Sequence, residues 1–444
     1  MKIERVMYIV PAVKREYKKD MKNKVGAPPI GVGLLSSFLK LHGYVVELID
    51  MFVEDYSPSE IKQRISDFNP DVVAISASFT ESISVAMNIA GMVKRNFKAI
   101  VIAGGVHTTF LPEEVLSQNV DYVILNEGES TTIKLLEYLK ADCKKEKLAS
   151  LHSVGYKDEK GNMHINRINE PLEDLDSLPI YDFRGFKMER YATPLALITS
   201  RGCPGDCVYC ASRAMFGKRY RLRSAESIIS EAYVLYQYAR GSSSILRNYM
   251  AIYDDTFTAQ RVRLKKFCKY MIQTGLSKRV AWKCESRIDI LNEEILVQMK
   301  ECGCIAIHVG LESTSQEVIN SLNKHIKVEK MEEVLALMAK HQIEPLCSFI
   351  IGNHSDTKET LTATIDFIER IQKKYGAYVA VSPNTPLPGT ELYNNPEKYG
   401  ITIKSNAWTD YSLLKVIIDT SNLTQDEIRN FYAKASEVIS NRED

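Results

Sequence analysis

Three cysteines fall within eight residues, Cys203-Pro204-Gly205-Asp206-Cys207-Val208-Tyr209-Cys210, at the spacing C-x3-C-x2-C. Three thiolates on one short loop suit three irons of a [4Fe–4S] cluster and leave the fourth iron without a ligand from the motif. An iron with an open position is a place for chemistry on a bound molecule. The other use of such thiols, a structural zinc site, wants four ligands in paired C-x2-C units. The nearest later cysteines, Cys268 and Cys284, are single and stand in helix- or strand-like context. Gly202 and Gly205 permit tight folding of the loop, and Tyr209 stands between two of the ligands. Nine cysteines, an odd number with three clustered, also argue against an extracellular disulfide framework. No side chain is singled out as a catalytic acid, base or nucleophile.

A loop of this kind needs rigid elements beneath it. From Pro194 onward, strand signals recur at Leu195–Ser200, Met250–Tyr253, Val280–Cys284, Ile305–Val309, Leu346–Ile351 and Tyr378–Val381, alternating with helix-like stretches. Six such units predict a partial (β/α)6 barrel of the TIM type over residues 191–395, with chemistry at the carboxyl ends of its strands. The second strand end carries Asp254 and Asp255, which would face an ammonium group or merely cap the helix starting near Thr258. The third carries Glu285 and Arg287, where the arginine pairs either with a carboxylate of the bound molecule or with Glu285. The fourth carries Glu312 and Ser313, an acid and a hydroxyl suited to a sugar diol or to capping the next helix. The fifth is Asn353-His354-Ser355-Asp356, with His354 a substrate-facing candidate. The sixth runs Pro383-Asn384-Thr385-Pro386-Leu387-Pro388-Gly389, a loop stiffened by proline.

The first third of the chain alternates short β-branched runs with amphipathic stretches. Strands are expected at Val6–Val10, Val45–Asp50, Val72–Ala77, Ile100–Gly104 and Tyr122–Leu125. Apolar strands separated by helices make a doubly wound, Rossmann-like parallel sheet in residues 1–140, which binds ligands beyond its carboxyl edge. Small and polar residues follow those strands: Ser76, Ser78, Thr80 and Glu81; Gly104, Gly105, His107 and Thr108; Glu127 and Gly128. Paired glycines admit a bulky ligand close to the backbone, and hydroxyls offer hydrogen bonds without charge; equally, these are the residues that turns require. His107 in such a loop more often makes a hydrogen bond than ligates a metal.

The remainder is connective. Residues 141–190 read as a linker, with a charged run at Asp142-Cys143-Lys144-Lys145-Glu146-Lys147, a hairpin-like piece around Lys157–Asn162, and an ordered stretch carrying Leu175, Leu178, Tyr181 and Phe183. Residues 396–444 form a small helical extension with a helix at Gln425–Ile439. With 57 Lys+Arg against 56 Asp+Glu, the net charge of +1 supplies no global field for a polyanion. The local run Lys218-Arg219-Tyr220-Arg221-Leu222-Arg223 reads as an anchor for the cysteine loop, so nucleic acid is not an expected partner. No apolar stretch reaches the roughly 18 residues of a membrane span, and a cytoplasmic location is expected.

Two resemblances sharpen this reading. The cysteine loop with its aromatic residue, Gly310-Leu311-Glu312-Ser313 and Thr385-Pro386-Leu387-Pro388-Gly389-Thr390 resemble the radical S-adenosylmethionine superfamily over about 200 residues. The segments Pro28-Pro29-Ile30-Gly31-Val32-Gly33, Gly104-Gly105-Val106-His107-Thr108-Thr109 and Glu127-Gly128-Glu129 resemble the cobalamin-binding domain that precedes some of those barrels. The likeness implies that Cys203, Cys207 and Cys210 hold the cluster, and that S-adenosylmethionine lies on the open iron near Tyr209, Asp254, Asp255, Glu285, Arg287, Glu312 and Ser313. Cobalamin is implied at the amino-terminal strand ends. Where histidine-ligating cobalamin domains have Asp-x-His-x-x-Gly, this chain reads Pro11-Ala12-Val13-Lys14-Arg15-Glu16, so cobalt would lack a histidine. The implied reaction is methylation of an unactivated carbon through a 5′-deoxyadenosyl radical and methylcobalamin, with radical cyclisation or rearrangement, or a non-catalytic sensor, as rivals. Flavodoxin or ferredoxin would supply electrons, and the substrate would be a small molecule, lipid or peptide.

Overall fold

The β-branched runs become parallel strands in a computed structural model, which describes residues 2–12, 26–141, 146–240 and 249–441. The chain forms two units, Met1–Pro194 and Leu195–Asp444.

In the first unit, β1 (Arg5–Val10) lies between β2 (Val45–Asp50) and β3 (Val72–Ser76), followed by β4 (Ile100–Gly104) and β5 (Tyr122–Ile124), all parallel. The order reverses direction at β1 and β3, which opens a crevice at their carboxyl ends. Val6, Met7 and Ile9 are buried because helices cover both faces. Residues 13–25, which contain most of the segment compared with Asp-x-His-x-x-Gly, lie outside the described residues, as do residues 142–145 of the charged run.

Residues expected to be connective do structural work here. β6 (Val154–Lys157) and β7 (Met163–Asn166) form a hairpin that pairs antiparallel with β5 and extends the sheet to seven strands. It covers an edge that β5 would otherwise leave open. Gly155 lets the hairpin approach, since a Cβ there would stand 2.6 Å from a Val123 methyl. Farther on, Leu175, Tyr181, Phe183 and Tyr191 are buried, and the Tyr191 hydroxyl donates to Asp50 at 2.6 Å.

The second unit contains β8 (Leu195–Leu197), β9 (Ser200–Arg201), β10 (Arg221–Leu222), β11 (Tyr249–Ile252), β12 (Ala281–Ser286), β13 (Cys304–Glu312), β14 (Glu344–Ile351) and β15 (Tyr378–Pro383). Six of them run parallel in the order β15-β14-β13-β12-β11-β8, a partial barrel built in chain sequence. Along β12 and β14 the residues alternate between fully and partly buried, with the fully buried ones under the outer helices. Trp282, Phe257 and Phe267 anchor that outer layer through edge-on ring contacts at 5.2–5.8 Å. Several strands are longer than their apolar runs. β12 extends to Ser286 and β13 to Glu312, so Glu285 and Gly310 sit within strands rather than in the loops after them.

The tail contributes β16 (Ile401–Ile403), β17 (Ile418–Thr420) and the helix Gln425–Ser440, whose amino end is a Thr424/Glu427 capping box. The β-ribbon was not expected from the sequence. Ile428 packs so tightly on the turn after β14 that a Cβ at Gly352, which has φ +79°, would come within 2.6 Å of it.

Candidate functional site

The cysteine loop leaves β9, which pairs antiparallel with β10. Gly202 turns the chain at φ +85°, where a Cβ would stand 2.8 Å from the Arg219 carbonyl. A Cβ on Gly205 would stand in contact with the Cys203 sulfur at 3.5 Å and that of Cys207 at 3.9 Å. The Gly205 amide points at Cys203 Sγ at 3.4 Å and the Ser212 amide at Cys210 Sγ at 3.5 Å. Amides aimed at sulfur, with clear space over a glycine, fit thiolate ligands of a cluster. Burial pushes the Cys207 thiol up, and the Lys324 ammonium opposes that shift. Loading iron on these thiols therefore releases protons and is favoured by alkaline conditions. The basic run is not an exposed patch: Arg221 and Arg223 are buried, and Arg223 pairs with Glu231.

Behind the loop is a three-membered latch. Tyr209 donates to Glu312 Oε1 at 3.0 Å, while Lys324 Nζ donates to the same oxygen at 2.7 Å and to the Tyr209 hydroxyl at 2.9 Å. Burial first, then the Glu312 charge, raises the Tyr209 pKa, so the phenol keeps its proton and remains a donor. Glu312 adopts φ +65°, uncommon for a residue with a side chain, at an irregular register between β13 and β14. Lys324 was not foreseen; it follows Asn323 at φ +56° in the turn after the helix Gln316–Ser321. That turn also grips the loop backbone, with Val208 N donating to Leu322 O and Asn323 Nδ2 to Asp206 O. The latch depends on Gly310, because a Cβ there would collide with the Glu312 carboxylate and stand 3.0 Å from Lys324 Nζ. Gly310→Ala is expected to destabilise the barrel by about 1–3 kcal/mol in denaturant unfolding. Gly104→Ala, whose Cβ would make only ordinary contacts of 3.5 Å or more, should cost under about 1 kcal/mol.

The other barrel candidates divide. Asp254 is buried, and its carboxylate accepts from the Thr199 and Ser200 amides and pairs with Arg263 at 3.4 Å, fixing the end of β8 from beneath. It does not cap a helix; Gln260 caps Arg261–Gln273. Asp255 turns outward to the Ser212 hydroxyl beside Cys210. Arg287 does not pair with Glu285. It binds Asp289 at 3.0 Å and donates to the Lys324 carbonyl at 2.6 Å, and it lies 3.3 Å from the Cβ position of Gly205. Glu285 instead faces His308 at 3.8 Å. Ser313 is buried beside Glu312, and the next helix is capped by Ser315, so neither Glu312 nor Ser313 is its cap. His354 packs on the Tyr399 ring at 5.0 Å rather than standing alone at the barrel mouth.

In the first unit, the ends of β3 and β4 meet. Gly105 has φ +112°, and a Cβ there would lie 2.8 Å from the Ala77 carbonyl carbon and 2.9 Å from Ser78 N. Ser76 and Ser78 share a hydroxyl contact at 2.9 Å. The buried Thr108 hydroxyl has no hydrogen-bond partner among the described residues. A small-residue floor with unused hydroxyl capacity fits a large polar ligand. Thr80 and Glu81 are buried at the start of the next helix, and Glu127 accepts from Leu172 N at 3.3 Å. Gly128 begins the helix Glu129–Lys140, with a Cβ position 3.2 Å from Leu35. His107 is fully buried beside Thr80, and burial depresses its pKa to about 4. Buried in this way, the imidazole is neutral.

Known proteins show the same pairing of units. The B12 binding domain family matches residues 23–136, and the Radical SAM superfamily matches residues 197–368. An uncharacterized methyltransferase of Pyrococcus horikoshii is 30% identical over 98% of this chain and 92% of its own length. The anaerobic magnesium-protoporphyrin IX monomethyl ester cyclase of Cereibacter sphaeroides is 27% identical over 92% of this chain and 67% of its own. The radical S-adenosylmethionine methyltransferase TsrM of Kitasatospora setae, solved with cobalamin and a [4Fe-4S] cluster, superposes with a TM-score of 0.78 at 15% identity, covering 99% and 91% of the two chains. Given the three-thiol loop, the doubly wound first unit and a full-length relative at this identity, the chain belongs to the cobalamin-binding radical S-adenosylmethionine enzymes.

Proposed function

We propose that this enzyme is a C-methyltransferase acting on an unactivated carbon. The observation that supports it is one chain carrying both a three-thiol loop on a parallel barrel and a doubly wound unit opened at its strand ends by Gly105. The full-length relative from Pyrococcus horikoshii bears a methyltransferase name. When bound, the cluster supplies the electron that cleaves S-adenosylmethionine to a 5′-deoxyadenosyl radical, and methylcobalamin supplies the transferable methyl group.

The chain's own residues position and shield. Cys203, Cys207 and Cys210 hold three irons, and Gly205 keeps the space between sulfurs clear. Tyr209, held by Glu312 and Lys324, would lie near the adenine. Asp255, Arg287, Glu312 and Ser313 line the S-adenosylmethionine side, with Asp254 steadying the strand beneath. Ser76, Ser78, Thr80, Glu81, Gly104, Gly105, Thr108, Glu127 and Gly128 surround the corrinoid. The cobalamin unit spans residues 1–140, a connector 141–190, the barrel 191–395 and an extension 396–444. The substrate is a small molecule, lipid or peptide, and the electron comes from a flavodoxin or ferredoxin.

Anaerobic reconstitution with hydroxocobalamin, followed by corrinoid and iron quantitation and product analysis, tests this. Stoichiometric corrinoid and equal formation of 5′-deoxyadenosine and S-adenosylhomocysteine are expected. Deoxyadenosine without S-adenosylhomocysteine would rule out methylation and favour cyclisation, the reaction named for the Cereibacter sphaeroides relative.

A further inference from the structure

The barrel carries a cavity of about 260 Å³ whose lining shares only Glu285 with the S-adenosylmethionine candidates named above. Tyr253, Lys283, Glu285, His308, Leu346 and Tyr378 contribute its chemistry, and alanine, valine, isoleucine and cysteine residues complete the wall. That volume lies below the roughly 300–1,000 Å³ of sites that swallow a drug-sized ligand, so it suits one end of a substrate. The cross-strand register orders the polar groups in layers. Glu285, His308, Leu346 and Tyr378 are successive neighbours across β12, β13, β14 and β15. Lys283 lies two residues earlier on the same face of β12, about 7 Å deeper. Its neighbours on the flanking strands are Ala251 and Ala306, both buried and too short to pair with its ammonium.

The charges in this cavity are unevenly answered. Glu285 has His308 within 3.8 Å. Lys283 makes no ion pair or hydrogen bond among the described residues, and its ammonium stands 5.5 Å over the Tyr249 ring. Burial lowers its pKa despite the attraction of Glu285 and Glu344. A half-buried ammonium on a cavity wall, without an ion pair of its own, is a group whose desolvation cost an incoming anion relieves.

We infer that Lys283 seats an oxyanion, a carboxylate or phosphate, at the buried end of the substrate. This rests on the radical S-adenosylmethionine reading of the barrel and assigns the substrate a charged end. The test uses the full, cluster-loaded chain with benzoate, phenyl phosphate and neutral benzamide, each titrated by calorimetry. One of the two anions binds with unit stoichiometry and the other more weakly, which distinguishes carboxylate from phosphate. Lys283→Met weakens the favoured anion at least about tenfold, and Lys283→Arg stays within about threefold of the parent. Lys283→Gln, which keeps a polar side chain without the charge, gives the same loss and serves if Lys283→Met folds poorly. Benzamide binding as tightly as benzoate, neither anion binding, or anion binding indifferent to both variants overturns the inference. Iron content and S-adenosylmethionine cleavage are measured in the same preparations. A chain that fails to load iron or cleave S-adenosylmethionine fails the family reading instead, whatever its affinity for anions.

Discussion

Cys207→Ala protein, reconstituted anaerobically, is expected to retain under about a tenth of the parent's iron, because one thiolate in three leaves two irons uncoordinated by the chain. Cleavage of S-adenosylmethionine should fall by at least about 10³-fold, since the group that initiates the chemistry supplies the whole rate enhancement. Corrinoid retention should be unchanged, because the strand-end floor at Ala77, Ser78 and Gly105 is built from the other unit. The substitution removes one half-buried sulfur and no buried charge, so the melting temperature of the iron-free chain should move little. Loss of corrinoid together with iron would mean the variant unfolds, and full iron retention would remove the thiol from the ligand set.

The second large effect concerns Lys324. Its side chain and that of Glu312 are each only 8% exposed, so Lys324→Met leaves a carboxylate buried without its counter-charge. Breaking one side of such a pair costs about 3–5 kcal/mol. For a unit of this size that is a fall in melting temperature on the order of 10 °C, read by calorimetry on the iron-free chain. Removing the charge from both partners in Lys324→Met/Glu312→Gln should recover at least about 1 kcal/mol relative to the sum of the single changes. Additivity would show that the ammonium is not the partner that matters. Iron retention should fall in the single variant as well, since Tyr209 loses a donor and the loop between two ligands loosens.

The three-thiol loop and the parallel strands were readable because each is written locally, the one in fixed spacing and the other in short apolar runs between helices. The strand ends of β12 and β13 were not. In an open barrel the inward residues stay polar, so Glu285 and Gly310 interrupt the apolar signal while the backbone continues extended. Asp254 and Asp255 were indistinguishable as neighbours; only the fold turns one inward to the Thr199 amide and the other toward Cys210. Lys324 lies twelve positions after Glu312, and no periodicity links them. The only hint was Asn323 just after a helix, where a left-handed residue commonly sits. The turn of the hairpin Val154–Asn166 was legible in its polar residues, but its pairing with β5 was not, because its strands are only four residues each.

The last helix has a consequence for when the cluster is made. Ile428 and Ala435 belong to the same buried cluster as Ile351 and Leu392, and Val208 and Tyr209 of the cysteine loop pack against it. The Leu392 amide donates to the Val208 carbonyl as well. The ligands emerge from the ribosome more than two hundred residues before the side chains that finish their surroundings. At synthesis rates of about 5–20 residues per second, the loop waits on the order of ten seconds or more for the helix Gln425–Ser440. Iron delivered earlier would meet an unfinished nest of thiols, so cluster insertion is expected to follow synthesis of the helix Gln425–Ser440.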